Sequence, residues 1–227
     1  MTDNKNIDPE LLHLFAIEAR LLDDVANPPR ARIDAIYPMT HGAQYERVIM
    51  DVVVDLHHKT LKWGRRAAKV LYCGEDAASS FRGAAIWSTY LATGIRPRHR
   101  IPVRGAMYID GGKPLINSFS EARPVLEYMR GNGLTNLELV ALPFHITRCF
   151  VGFVTEILDM GVDINVFARV TRHISFTEMS VHSQGTQGGT ASQFAEAEIQ
   201  KVLSYKNLTS PSKVLRYLDE RDRRIRE

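Results

Sequence analysis

The stretch that decides the fold is Leu137-Glu138-Leu139-Val140-Ala141-Leu142-Pro143-Phe144-His145-Ile146-Thr147-Arg148. Its first half has the apolar pattern of a buried strand, and its second half opens a helix after a short turn. His145 and Arg148 are three positions apart, so they lie one helical turn from each other. In an open α/β sheet the carboxyl ends of parallel strands face the ligand-binding crevice. The stretch therefore predicts an α/β fold with His145 and Arg148 at its binding edge.

These two side chains suit the binding of an anion. Arg148 carries a fixed charge and a fork of donors that matches phosphate or carboxylate, and the free N–H groups at a helix start favour the same ligands. His145 can transfer a proton near neutral pH or donate a hydrogen bond. In the alternative, structural interpretation, His145 caps the helix and Arg148 extends into solvent.

Composition indicates an ordinary globular chain with one sizeable core. The chain has 227 residues, of which 44% are hydrophobic and 24% charged, and its formal net charge is +3. This small excess favours anionic small ligands only weakly and does not by itself indicate nucleic acid. The C-terminal basic residues favour a solvated helix end over a nucleic-acid-binding tail. They are Arg221, Arg223, Arg224 and Arg226.

Cysteine usage and the N-terminal sequence bear on the compartment. Cys73 and Cys149 are the two cysteines, without the spacing of a metal site, and a chain of this size needs no disulfide framework. The N-terminus is polar, and no stretch approaches the roughly 18 apolar residues of a membrane helix. We expect a soluble cytoplasmic protein.

Hydrophobic periodicity predicts the order of elements. Helices are expected from Pro9 and over about Ala43 to Trp63, and from Lys69 onward short apolar runs alternate with helical patterns. This alternation predicts a three-layer, Rossmann-like α/β fold with a mostly parallel sheet. We predict an N-terminal helical segment over residues 1–66, packed on the core, and an α/β domain over 67–227 with two C-terminal helices. The expected strands are Val70–Cys73, Ala106–Ile109, Leu137–Leu142 and Ile164–Ala168.

Polar residues follow three of these strands and are expected to meet at one sheet edge. They are Gly74, Glu75 and Asp76; then Asp110, Gly111 and Gly112; then His145 and Arg148. The two glycines at 111 and 112 would let backbone N–H groups approach an anion closely. Arg82 would point another cation toward the same region, or alternatively form a salt bridge to Glu75 or Asp76.

The stretch Ser118-Phe119-Ser120-Glu121 matches a capping box, in which Ser118 and Glu121 satisfy the helix start. Pro124 conflicts with that register, because it would remove an intrahelical hydrogen bond. In the alternative interpretation the helix begins at Ala122 or Arg123, which leaves Ser118, Ser120 and Glu121 available to a ligand.

Together these motifs resemble the YdcF/SanA/ElyC family of bacterial proteins, which have a Rossmann-like fold, over about Val70 to Asp219. The stretch Val140–Cys149 is similar to the family's Val-Thr-Ser-x-x-His-x-x-Arg-Ala motif and is the most specific part. The other matching segments are Val70–Gly74, Arg82, Ala85, Tyr90–Gly94, Ser120–Ala122, Glu198–Lys201 through Tyr205, and Val214, Tyr217 and Leu218. The chain departs from the family at Asp110, where Ser is usual, and at Ala141-Leu142, where Thr-Ser is usual. One family motif block is also not visible.

The residues and the resemblance together lead us to expect a YdcF-like protein, of the branch without a membrane helix, that binds a small anionic or nucleotide-like ligand. Arg148, Arg82 and the glycine backbone would hold the anion, and His145 would act as acid or base, which suits a hydrolase or a transferase. Glu121 or Asp110 would orient the histidine or a water. S-adenosylmethionine or another nucleotide is compatible with such a site, although no residue selects it. The alternative is a non-catalytic sensor or adaptor with a degraded pocket.

Overall fold

A computed structural model describes residues 8–27, 31–40, 42–62, 67–78, 81–110, 113–171, 175, 177–181 and 188–226. The helices are α1 (Pro9–Ala26), α2 (Glu46–Lys62), α3 (Ala84–Ala92), α4 (Ser118–Gly131), α5 (Ile146–Met160), α6 (Ala191–Ser204) and α7 (Pro211–Arg226). The strands are β1 (Ala35–Pro38), β2 (Lys69–Cys73), β3 (Arg100–Val103), β4 (Tyr108–Asp110), β5 (Lys113–Leu115), β6 (Asn136–Ala141), β7 (Asn165–Val170), β8 (Met179–Val181) and β9 (Gly188–Thr190). A short 3₁₀ helix covers Pro97–His99.

Five strands form one parallel sheet in the order β3-β2-β1-β6-β7. Helices α2 and α3 cover one face, and α1, α4, α5 and α7 cover the other, each over its own apolar core. The predicted three-layer, Rossmann-like α/β architecture is confirmed. The strand order reverses between β1 and β6, and the carboxyl ends of this pair are called the β1–β6 break below. Ligands of open α/β sheets bind at such a reversal.

The central strand of the sheet was missed in the sequence. Residues 1–66 are predicted to supply only helices, yet β1 lies between β2 and β6, so the boundary predicted at residue 66 separates neighbouring strands of one sheet. Strand β1 has only four residues and ends at Pro38, which is too short for an alternating pattern to stand out. All four are buried, so the strand is held by packing on both faces.

The strand predicted over Ala106–Ile109 overlaps β4, but its assignment to the parallel sheet is wrong. The strand that joins the parallel sheet there is β3, whereas β4 pairs with β5 in a separate antiparallel hairpin. Strand β3 contains Pro102, and a proline in the sequence argues against a strand. At the edge of the sheet this proline is tolerated, because its missing N–H faces away from the ladder.

Helix α4 begins earlier than the proline suggested. Its N-cap is Asn117, whose side chain accepts hydrogen bonds from the backbone N–H groups of Phe119 and Ser120. Ser120 completes the capping box by accepting from the Asn117 backbone N–H at 3.0 Å. The predicted box of Ser118 and Glu121 and the later start at Ala122 or Arg123 are therefore both wrong, and Pro124 lies inside the helix.

The C-terminal basic residues are not all part of a solvated helix end. Arg221 is 2% exposed and forms a two-pronged ion pair with Asp24 of α1, at 2.7 and 2.8 Å. It also donates to the carbonyl of Val166 on β7 at 2.8 Å. Arg221 thus holds α7, α1 and the sheet together. Within the described ranges, no helix has the length and apolar content that a membrane span requires.

Candidate functional site

Three residues singled out from the sequence lie together at the β1–β6 break: Ser118, His145 and Arg148. Ser118 is the first residue of α4, His145 is the N-cap of α5, and Arg148 lies in the first turn of α5. All three are buried. Strand β6 ends directly before this turn, so the apolar strand and the new helix fix both the histidine and the arginine at the sheet edge.

Two residues of α6, Glu198 and Lys201, complete what we call the Arg148 cluster, which consists of Ser118, His145, Arg148, Glu198 and Lys201. Arg148 donates from Nη1 to Ser118 Oγ at 2.7 Å and from Nε to Glu198 Oε2. His145 Nδ1 lies 2.8 Å from the same Oε2, and Lys201 Nζ donates to Oε1 at 2.9 Å. Arg148 therefore ties α4, α5 and α6 together instead of extending into solvent.

The electrostatics of the cluster determine the protonation state of His145. Burial lowers the pKa of His145, the charge of Arg148 lowers it further, and Glu198 acts in the opposite direction. Nδ1 of His145 lies 2.8 Å from Glu198 Oε2, which can only accept, and 3.3 Å from Arg148 Nη2, which can only donate, so the tautomer of the imidazole depends on which of these two contacts Nδ1 makes. Burial and the charge of Arg148 both favour the neutral imidazole. The His145 side chain makes no capping bond to α5.

Glu121 lies one turn after Ser118 in α4, and its side chain contacts residues at the end of β1. It is completely buried and accepts hydrogen bonds from Tyr37 Oη at 2.8 Å, from the Thr40 N–H at 3.1 Å and from Thr40 Oγ1 at 2.5 Å. Burial raises the pKa of Glu121 to about 7, although these hydrogen bonds and Arg148 lower it. Glu121 thus anchors α4 to the carboxyl end of β1, and no direct hydrogen bond from Glu121 to His145 is found in the described residues.

This raised pKa makes Glu121 a source of pH-dependent stability. A carboxyl whose pKa is higher in the folded chain favours folding below its ordinary value of 4.5, and this contribution is lost as the pH rises to about 7. Replacing Glu121 by Gln removes the titration. The stability of the wild type relative to Glu121→Gln should therefore fall, on the order of 3 kcal/mol, between about pH 4.5 and 8.

Urea unfolding of both proteins across this pH range measures the difference. Glu127→Gln is the matched control, because Glu127 is an exposed residue of the same helix. Its difference from the wild type should stay constant with pH. A flat curve for Glu121→Gln as well would show that Glu121 does not titrate in this range.

The remaining residues expected from the sequence bond elsewhere. Arg82 donates from Nε to the buried Glu46 at 2.6 Å, so its partner is neither Glu75 nor Asp76. Gly74 donates its N–H to the Val103 carbonyl at 2.7 Å, and a Cβ there would lie 3.0 Å from that oxygen. A side chain at position 74 would therefore need β3 to shift by a few tenths of an ångström.

The Asp110-Gly111-Gly112 stretch does not follow a strand of the parallel sheet. Asp110 ends β4 and pairs with Lys113 of β5, so this stretch belongs to the hairpin. Gly111 and Gly112 lie outside the described residues. The expected convergence of three strand ends on one ligand is therefore wrong for the Asp110 stretch, whose position in the hairpin follows from the misplaced second strand.

The thiols and metal-ligating groups offer no further chemistry at this edge. Cys73 and Cys149 are both free and buried. Burial raises the pKa of each thiol, so neither is a thiolate nucleophile at neutral pH. Among the residues that the structure describes, no three His, Cys, Asp or Glu side chains are placed to hold a metal ion together.

Four residues of this region were not predicted as site residues: Tyr37, Thr40, Glu198 and Lys201. Glu198 and Lys201 entered only through the resemblance of their helix to the family. Glu198 lies 50 positions from Arg148, and its spacing to Lys201 is that of any surface ion pair on a helix.

The strand order and the Arg148 cluster define a Rossmann-like α/β protein with buried charged side chains at the carboxyl ends of its strands. Comparisons with protein-family models, curated proteins and solved structures gave no match to this chain.

Proposed function

We propose that this chain binds a small anionic or nucleotide-like ligand at the β1–β6 break. The observation that carries the proposal is the strand order, because open α/β sheets bind ligands where the order reverses, which here is between β1 and β6 beside the starts of α4 and α5. The Arg148 cluster adds two cations, Arg148 and Lys201, for one carboxylate, Glu198. This excess of positive charge beside the start of α5 favours an anion.

An aromatic row beside the break supports a nucleotide-like ligand. Phe144 is half-buried in the turn after β6, with its ring centroid 6.4 Å from Tyr45 at the start of α2 and 5.8 Å from Phe194 of α6. Tyr45 and Phe194 are buried, so Phe144 is the ring of the three on which a planar base can stack. S-adenosylmethionine and adenine nucleotides are therefore the ligands to test first.

Membership in the YdcF-like family is part of the same proposal. The Rossmann-like architecture of the chain is the one that this family has, and the stretch Val140–Cys149 is the most specific part of the resemblance. Two buried, unpaired cysteines also suit the reducing cytoplasm.

Acid–base catalysis is a second candidate, favoured by the contact of His145 with Glu198. When Nδ1 donates to Glu198, the carboxylate orients the imidazole for proton transfer at Nε2, an arrangement that hydrolases and transferases use. Glu121 does not serve as the orienting carboxylate in this arrangement, because its bonds are made to Tyr37 and Thr40.

Isothermal titration with inorganic phosphate, AMP and S-adenosylmethionine tests the proposal. We expect at least one of them to bind the wild type and to bind His145→Asn at least tenfold more weakly. Asn is a preferred N-cap, so this variant keeps the start of α5 intact. His58→Asn is the matched control, since His58 lies on α2 and contacts the Gly94 carbonyl.

Two results would contradict the proposal. One is that none of the three ligands binds the wild type, which would favour the sensor or adaptor role. The other is that His145→Asn binds as tightly as His58→Asn, which would place the ligand away from the break.

A further inference from the structure

A cavity of about 290 Å³ lies on the other side of the turn that carries Phe144 and His145. It is partly open to solvent and is lined by α1, α6, the turn after β6, the first turn of α5 and the end of β7. Nine of its lining residues are apolar and three are polar. The apolar ones are Leu21, Leu22, Pro143, Phe144, Ile146, Val170, Ala195, Ile199 and Val202, and the polar ones are Glu18, Thr147 and Glu198.

The polar lining is acidic, and its two carboxylates differ in their partners. Glu198 is engaged by His145, Arg148 and Lys201. Glu18, which is half-buried, has one hydrogen bond, from Thr147 Oγ1 at 3.3 Å, and no ion pair among the described residues. Burial raises the pKa of Glu18 accordingly. A carboxylate with one long hydrogen bond on an apolar cavity wall is suited to a cation.

The ion pair of Arg148 and Glu198 gives the two sides of the turn different charges. Arg148 is directed toward Ser118 and α4, and it does not line the cavity, whereas Glu198 does. An anion in the cavity would face two carboxylates, with Thr147 as the one hydroxyl donor on the wall. The cavity therefore disfavours an anion, whereas the β1–β6 break favours one.

We propose that this cavity binds a small amphiphilic amine, with its apolar body against the leucine and isoleucine side chains and its ammonium group on Glu18. A dry cavity of about 150 Å³ holds benzene, so this one has room for an aromatic ring and a short chain. The proposal does not depend on the ligand proposed for the break. Placement of Glu18 near the start of α5 would also stabilise that helix without any ligand, and the experiment separates the two roles.

Three probes with one apolar body and different head groups test the proposal: 2-phenylethylamine, 2-phenylethanol and 3-phenylpropionate. Binding is measured by amide NMR titration of the wild type, Glu18→Gln and Ala195→Phe. Ala195 is a half-buried lining residue, so the larger ring fills the cavity. Glu196→Gln is the matched control, because Glu196 is exposed on the same helix and does not line the cavity.

The wild type and Glu196→Gln should bind the amine about tenfold more tightly than the alcohol and should not bind the carboxylate. Glu18→Gln should bind amine and alcohol equally, and Ala195→Phe should bind neither. The proposal is overturned if the wild type binds no probe, if the three probes bind alike, or if Glu18→Gln keeps the preference for the amine.

Discussion

Replacing Arg221 by Met should lower the free energy of unfolding by about 3–5 kcal/mol. The methionine keeps the apolar volume of the side chain but leaves Asp24, which is 7% exposed, without its cation. Such an uncompensated buried charge is far more costly than the loss of one contact. The Val166 carbonyl and the face of Phe167, 5.0 Å from the guanidinium carbon, also lose a partner.

Urea unfolding followed by circular dichroism measures this loss. Arg223→Met is the matched control, because Arg223 is exposed on the same helix and should change stability by less than about 0.5 kcal/mol. The double variant Asp24→Asn/Arg221→Met should recover part of the loss, since it leaves no buried charge. Equal stabilities for Arg221→Met and Arg223→Met would contradict the structural role of this ion pair.

Replacing Glu198 by Gln should cost a similar amount, about 3–5 kcal/mol. The shape of the side chain is kept, so the change isolates the charge that compensates Arg148 inside the Arg148 cluster. Arg148 is 6% exposed, and its remaining contacts, to the Ser118 hydroxyl at 2.7 Å and to His145 Nδ1 at 3.3 Å, are both to uncharged groups. Loss of Glu198 also lowers the pKa of His145 further, because this carboxylate raises it.

Thermal and urea unfolding of Glu198→Gln and of Glu196→Gln compare the buried with the exposed acid of α6. The exposed variant should unfold like the wild type. The double variant Arg148→Met/Glu198→Gln should be more stable than Glu198→Gln alone, because it removes the unpaired cation. If Glu198→Gln is as stable as Glu196→Gln, the cluster does not hold the three helices together.

The parts of the fold that were predicted have strong local patterns. The run that ends at Ala141 is buried on both faces, so it has the largely apolar sequence of a central parallel strand, interrupted by Glu138, which is paired with Arg169. Helix α5 ends at Gly161, whose φ of 59° is left-handed and suits glycine. Strand β1 was missed because four residues carry too little pattern, and β3 was missed because Pro102 is acceptable only at a sheet edge.

The candidate site was predictable only where it is local in sequence. His145 and Arg148 share one helical turn, so their proximity follows from periodicity. The contact of Arg148 with Glu198 spans 50 positions, and that of Glu121 with Tyr37 spans 84, so both depend on how distant elements pack. A single sequence contains no signal for such pairings. Glu121 and Arg148 were therefore predicted to face a ligand, and their contacts with other helices and strands of the protein were missed.

Binding at the β1–β6 break is tested most directly by amide NMR spectra recorded during titration with phosphate, AMP and S-adenosylmethionine. The account predicts that a binding ligand shifts the amides of Thr40, Gly42, Ser118, His145 and Arg148, which lie at the carboxyl ends of β1 and β6. Amides at the opposite sheet edge, such as Gly94 and Asn165, should not move. Spectra unchanged by all three ligands, or shifts confined to the opposite edge, would contradict it.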